Sequence, residues 1–379
     1  MRILAIHPSD ELYGADRVLL EAAGILTGSG VVHVLLPLDV DYPEHLLTQA
    51  LEQRGIAVSH ADLPILRRDY LRLRALPGLA RRSWRTWAGL RRSRPDVVYL
   101  STSAALLVAP LARLVGARVV VHVHETWGRS ERLLLGPMLR ACTAVLAVSA
   151  AVAERLPGSV TVVHNGFEMP EVPPGDAAAV RSGLGVPPGA LVALVASRWN
   201  AWKGHDVLLQ AWAGLSRPDL HLVILGAPPP SGGSVDVPAL VSELADPGRV
   251  HVVGPRDDVA AWVRASDVVL VPSTRPDPLP TIAIEAAGLG RAVVASADGG
   301  LRDIVEAGVT GALVAAGDVA GWTAALEALD AAVLTRQGGA ARDRFERMFT
   351  LAAFAERFTA ALTPVLGDGT AERSEGEVR

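Results

Sequence analysis

Lysine is almost missing from this chain: of its 36 basic residues only Lys203 is a lysine, set in Ser197-Arg198-Trp199-Asn200-Ala201-Trp202-Lys203-Gly204-His205. Arginine offers a rigid planar fork, lysine a compact charge on a flexible stem. A single lysine placed just after an apolar run and beside a glycine therefore reads either as a leftover surface residue or as a small cation reaching a phosphate oxygen. Cysteine is as scarce. Cys142 stands alone, which excludes an intrachain disulfide framework and fits a small core residue in a reducing cytoplasm. No window reaches about 18 uninterrupted apolar residues, so no membrane-spanning helix is expected. Met1-Arg2-Ile3-Leu4-Ala5-Ile6-His7 enters a strand-like run directly, without the pattern of a secretory signal. The net charge of -4 gives no reason to expect a nucleic-acid partner. There is no G-x-x-x-x-G-K-S/T phosphate loop and no G-x-G-x-x-G after the first strand.

What is present is a twofold alternation of strands and helices. A chain of 379 residues suggests two domains. Short apolar runs are expected as strands at Arg2–Ile6, Val31–Leu36, Asp96–Leu100, Arg118–Val123 and Ala144–Val148. A second series follows at Leu191–Ala196, Leu220–Leu225, Val250–Val253, Asp267–Val271, Ala292–Ala295 and Gly311–Val314. Runs this apolar, without alternation, read as parallel strands buried on both faces. The expected organisation is an N-terminal α/β Rossmann-like domain over 1–166 and a proline-rich linker over 167–188. A C-terminal Rossmann-like domain over 189–345 follows, then a helix over 346–366 packing back on the first domain and a disordered polar tail over 367–379.

In open parallel sheets ligands sit beyond the carboxyl ends of the strands, so the loops there carry the candidate site. After the first strand, Gly14 and Ala15 stand where a helix begins; a small pair lets an anion approach backbone N–H groups and the positive helix end, although a glycine needed only for the turn reads the same way. The most informative stretch is Ser273-Thr274-Arg275-Pro276-Asp277-Pro278-Leu279-Pro280-Thr281-Ile282-Ala283-Ile284-Glu285. Asp277 falls in a loop before a helix, and Glu285 about one turn into it. Carboxylates there can accept hydrogen bonds from vicinal sugar hydroxyls, while the helix N-terminus receives a diphosphate.

Taken in order, these segments resemble glycosyltransferase family 4. Asp277 to Glu285 is similar to the family's two glutamates separated by seven residues, with Asp in the first place. Val195-Ala196-Ser197-Arg198 with Lys203-Gly204-His205 resembles its G-R-x-x-x-x-K-G signature. Val162-Val163-His164-Asn165-Gly166-Phe167-Glu168 resembles the N-G-x-D that closes the N-terminal domain, and Val121-His122-Val123-His124-Glu125 the strand ending in an active-site histidine, placed on His124. The resemblance implies a GT-B fold, with two Rossmann-like doubly wound domains facing a cleft. It implies transfer, with retention, from a nucleotide-diphosphate sugar to a glycan or lipid-linked acceptor, with no obligatory metal or other cofactor. It implies that Arg198 and Lys203 neutralise the diphosphate, Glu285 binds the ribose hydroxyls, Asp277 sits by the transferred sugar and His124 hydrogen-bonds that sugar. Backbone groups of Gly14, Ala15, Leu279, Pro280, Thr281 and Ile282 complete the anion site. Pro280 stands where the family has glycine and removes one N–H donor; Ser197 and Ala15 also replace glycines.

Charge gathers in one segment. From Arg67 to Arg94 there are ten arginines against one acid, Asp69, interleaved with Trp84, Trp87 and leucines. Such a segment either lies on an anionic membrane as a peripheral anchor at the inner face of the cytoplasmic membrane, or is a solvated face packed on the sheet. Pro77 argues against one continuous helix. Two other functional classes stay open: an epimerase or phosphorylase sharing the fold, and a sugar-nucleotide-binding protein without catalysis.

Overall fold

The structure is a computed structural model that describes residues 1–12, 14–67, 75–229 and 233–367. The chain divides into two units: Met1–Gly166 together with the segment from Leu351 onward, and Phe167–Thr350. Unit 1 holds strands β1 (Arg2–Ile6), β2 (Val31–Pro37), β3 (Ala57–Ala61), β4 (Val97–Leu100), β5 (Arg118–Val123), β6 (Ala144–Ala147) and β7 (Thr161–Val162). Unit 2 holds β8 (Leu191–Ala196), β9 (Leu220–Leu225), β10 (Val250–Gly254), β11 (Val268–Val271), β12 (Ala292–Ser296) and β13 (Gly311–Val314). The sheet orders are β3-β2-β1-β4-β5-β6-β7 and β10-β9-β8-β11-β12-β13, and every pairing is parallel. Both are doubly wound, with the strand order reversing between β1 and β4 and again between β8 and β11.

The apolar runs become strands because both faces are covered. β4, β9 and β11 are buried along their whole lengths, and a strand without a wet face has no use for alternation. Two strands escaped the sequence reading. β3 is an edge strand whose side chains are at most half-buried, and β7 is two residues long; neither carries an apolar run.

Two boundaries differ from those expected. The segment 167–188 is not only a linker: it contains the helix Pro174–Gly183. Proline is favoured in the first helical turn, where its missing N–H costs nothing, so proline density here marks a helix start. The expected helix over 346–366 is two helices, Ala331–Met348 and Leu351–Leu366. They part at Phe349 and Thr350, where the Phe167 N–H donates to the Phe349 carbonyl at 2.8 Å. The first helix belongs to unit 2. The second contributes Phe354, Phe358, Leu362 and Val365 to the core of unit 1. The tail expected to be disordered falls, from residue 368 on, outside the described residues, as do Arg68, Asp69, Leu71, Arg72, Leu73 and Arg74 of the basic segment.

Candidate active site

The reversal of strand order in unit 2 brings the ends of β8 and β11 side by side, although the loops that follow them are far apart in sequence. After β8 the chain passes Ser197 and Arg198, makes one tight turn at Ala201–Lys203, and enters the helix His205–Ala213 through Gly204. Gly204 has φ +76°, and a Cβ there would stand 1.9 Å from the Pro272 carbonyl oxygen. Only glycine lets this turn lie against the end of β11. The Thr274 N–H then donates to the Trp202 carbonyl at 2.8 Å, tying the two loops together.

Across this seam Lys203 Nζ donates to Asp277 Oδ2 at 2.6 Å, over a sequence separation of 74 residues. The ammonium also lies 4.2 Å from the centroid of the Trp202 ring. The two charged side chains are only 18% and 10% exposed, so the pair is shielded and its geometry fixed. The family resemblance implies separate roles for these two residues, and the structure joins them. The Asp277 loop is held from behind by a glycine pair that the sequence reading passed over. The Gly300 N–H donates to the Asp277 carbonyl at 2.8 Å, and a Cβ on Gly300 would stand 2.1 Å from the Pro278 oxygen. The signal was there: Gly299-Gly300 follows β12 at its carboxyl end.

Pro280 takes the N-cap position of the helix Thr281–Gly288, with φ -68° and ψ 118°. Its missing N–H therefore removes a donor from the helix mouth while Thr281 and Ile282 keep theirs. Leu279 is buried at 8% exposure, so only its backbone can serve a ligand. Arg198, Gly226, Arg256, Thr281, Ile282 and Glu285 line one cavity of about 390 Å³. A cation, a carboxylate and a helix N-terminus thus converge on it. His205 packs beside the Lys203 turn, fully buried; burial pushes its pKa down to about 4.

In unit 1, Gly14 opens the helix Gly14–Thr27, with open space where its Cβ would be, and Ala15 follows. The loop before it is anchored through His7, whose ring bonds Asp16 at 2.5 Å and the Ser101 hydroxyl. His124 comes directly after β5, its ring centroid 4.4 Å from that of His122. Burial, with the neighbouring His122 and His7, holds its pKa well below the usual histidine range, so its imidazole is neutral. Glu125 accepts from the Ser103 N–H at 3.3 Å, the Ser103 hydroxyl and the His124 N–H at 3.2 Å, and burial raises its carboxyl pKa against those hydrogen bonds.

Two doubly wound Rossmann-like units in one chain are the GT-B architecture, and solved glycosyltransferase structures carry it along nearly the whole length. A crystal structure of Anabaena HepE in complex with UDP and glucose superposes with a TM-score of 0.77 at 22% identity, covering 96% of this chain and 100% of the other. A glycosyltransferase from Rickettsia africae gives 0.76 at 18%, covering 97% and 98%. The profile described as Glycosyltransferase Family 4 matches residues 14–169, and that described as Glycosyl transferases group 1 matches residues 190–331. The chain belongs to this family, the group 1 or family 4 glycosyltransferases. Among curated proteins, a D-inositol 3-phosphate glycosyltransferase of Mycolicibacterium gilvum is 39% identical over 191 residues, 49% of this chain and 42% of that protein. The chain spans about half the length of the curated relatives it matches.

Proposed function

We propose that this protein is a retaining glycosyltransferase of the hexosyltransferase type that moves a sugar from a nucleoside-diphosphate donor to a glycan or lipid-linked acceptor in cell-surface polysaccharide or glycolipid synthesis. The observation that carries the reading is the cluster at the strand reversal of unit 2, where Arg198 and Glu285 line one cavity and Lys203 is fixed by Asp277. Arg198 and Lys203 meet the charge that grows on the leaving diphosphate. Lys203, fixed and shielded, favours the transition state, where that charge is greatest, more than the ground state, while Arg198 reaches the cavity from an exposed position. Asp277 orients the ammonium and lies by the transferred sugar. Glu285 accepts from the ribose hydroxyls, and the N–H groups of Thr281 and Ile282 at the helix mouth receive the diphosphate. His124, neutral, serves the sugar as a hydrogen-bond partner rather than as a base. The donor needs no further cofactor in this scheme.

Uridine diphosphate sugars are the first donors to try, because HepE was crystallised with UDP and glucose. For the acceptor, the helix Leu76–Ser93 presents Trp84 at 65% and Leu76 at 49% exposure, which suits a lipid surface at the inner face of the cytoplasmic membrane. Its charge is lower than the sequence window suggested. Asp62 pairs with Arg82 at 2.6 Å, Arg85 at 3.1 Å and Arg81 at 3.9 Å, and Asp39 with Arg67 at 2.6 Å; both acids lie before the window. Among the described residues no helix is long and apolar enough to cross a membrane. A second acceptor, a phosphorylated polyol, is favoured by the relatives named for D-inositol 3-phosphate.

Thermal stabilisation by nucleoside diphosphates and their sugars, followed by transfer assays with a lipid-linked glycan and with D-inositol 3-phosphate, tests this reading. A ligand at 100 times its Kd adds about 2.7 kcal/mol of apparent stability. One base should stand out, and negligible shifts for every nucleotide would overturn the assignment. Loss of binding to anionic vesicles in a Trp84→Ser variant supports the membrane acceptor, and unchanged binding removes it.

A further inference from the structure

A second constellation in unit 1 has no part in the scheme above. Asp10 lies in the loop after β1, His45 just before the helix Leu46–Gln53, and His60 in β3. They bring one carboxylate oxygen and two ring nitrogens within 4.8 Å of one another. Asp10 is buried, at 1% exposure. Its carboxylate is oriented by Thr48, whose N–H donates to Oδ1 at 2.8 Å and whose hydroxyl lies 2.9 and 2.8 Å from the two oxygens. Oδ2 then faces His45 Nδ1 at 2.6 Å and His60 Nε2 at 2.9 Å. Solvent reaches the cluster from one side, because the His45 side chain is 50% exposed.

Two features set this cluster apart from an ordinary buried hydrogen bond. His45 has φ 46° and ψ 45°, the left-handed region that residues with a Cβ seldom occupy, and it holds that conformation while bonding Asp10. Both imidazoles also converge on the same oxygen. A carboxylate fixed from behind, two imidazole nitrogens and an open solvent side make the donor set of a borderline cation.

We propose that Asp10, His45 and His60 form a site for a divalent transition metal, zinc in the first instance, with water completing its shell. Neighbouring ligand atoms of a tetrahedral zinc stand about 3.3 Å apart for bonds of the usual length. The contacts of 2.6 and 2.9 Å therefore open by less than 1 Å to admit the ion. Bound there, the ion ties the loop that leads into Gly14 to β3 and to the helix Leu46–Gln53.

The test is calorimetric titration of zinc chloride into the full chain after removal of metal by a chelator, with cobalt substituted for its visible absorption. The expected result is one saturable equivalent, a rise in Tm and cobalt bands of low coordination number. His45→Gly keeps the left-handed backbone, and it and His60→Gln should each remove the equivalent. Thr48→Val, which loosens Asp10 without touching the ion, should weaken binding by about 10- to 100-fold. The His221–His251 pair, with ring nitrogens 3.1 Å apart in unit 2, is the control: His251→Gln should leave the equivalent intact. No saturable binding by the unaltered chain, binding that survives both His45→Gly and His60→Gln, or binding lost in His251→Gln would each overturn the site.

Discussion

At the scale of single residues, the contact between Lys203 and Asp277 decides how the proposed diphosphate cation works. An ammonium 2.6 Å from a mostly buried carboxylate is held in one place, so Asp277 acts partly through Lys203. Lys203→Ala should lower kcat/KM by about two to three orders of magnitude, the loss typical of one preorganised charge contact. Asp277→Asn should cost less, and the double variant should be little worse than Lys203→Ala, because residues in contact are not additive. Steady-state kinetics on the three variants checks this; losses that multiply would mean the two side chains act independently. Lys203→Arg keeps the charge but substitutes a planar fork and should still lose at least about tenfold, since the seam between the loops is shaped for a point charge. The composition singled out Lys203 and the motif singled out Asp277. Their pairing was not legible, because it depends on the strand order that sets β8 against β11.

At the scale of elements, the sequence showed strands wherever burial was two-sided. Leu191–Ala196 and Leu220–Leu225 could be read to the residue because nearly every position is buried and all but His221 are apolar. β3 could not: Ser59 and His60 on a half-wet edge look like loop. The cluster of Asp10, His45 and His60 was hidden for the same reason, since two of its three members lie on or beside elements without an apolar run. Glycine punctuation was present but unread at Gly299-Gly300, the cradle of the Asp277 loop. Gly300→Ala puts a methyl group 2.1 Å from the Pro278 oxygen, a contact that only backbone movement relieves. It should destabilise by about 1–3 kcal/mol and cut turnover at least about tenfold with a smaller change in donor KM. Denaturant melts and kinetics on one preparation would show whether activity falls further than stability; equal kinetics would mean that the loop tolerates the shift.

At the scale of the whole molecule, each unit is closed by a fully buried histidine that has no room for a charge. His122 lies in the sheet of unit 1, where Tyr99 Oη sits 3.1 Å from Nδ1 and the Val163 carbonyl 3.3 Å from Nε2. The neutral ring satisfies both, accepting from the tyrosine and donating to the carbonyl. His205 lies under the Lys203 turn of unit 2. Burial pushes both pKa values down to about 4, against about 6.5 in an unfolded chain. The unfolded state therefore takes up protons first as pH falls. The stabilisation from each neutral ring is fully present above about pH 6.5 and is lost progressively as pH drops towards 4. Between pH 6.5 and 5, where most carboxylates remain ionised, the free energy of unfolding should fall at up to about 1.4 kcal/mol per pH unit for each such proton. His221 and His251 are shifted in the same direction by burial and add to the slope. Urea titrations across this window should show the decline in the unaltered chain and a shallower one in His122→Phe and His205→Gln. A flat profile in the unaltered chain would mean that these rings reach solvent and charge in the native state, which would also undo the packing that positions the Lys203 turn.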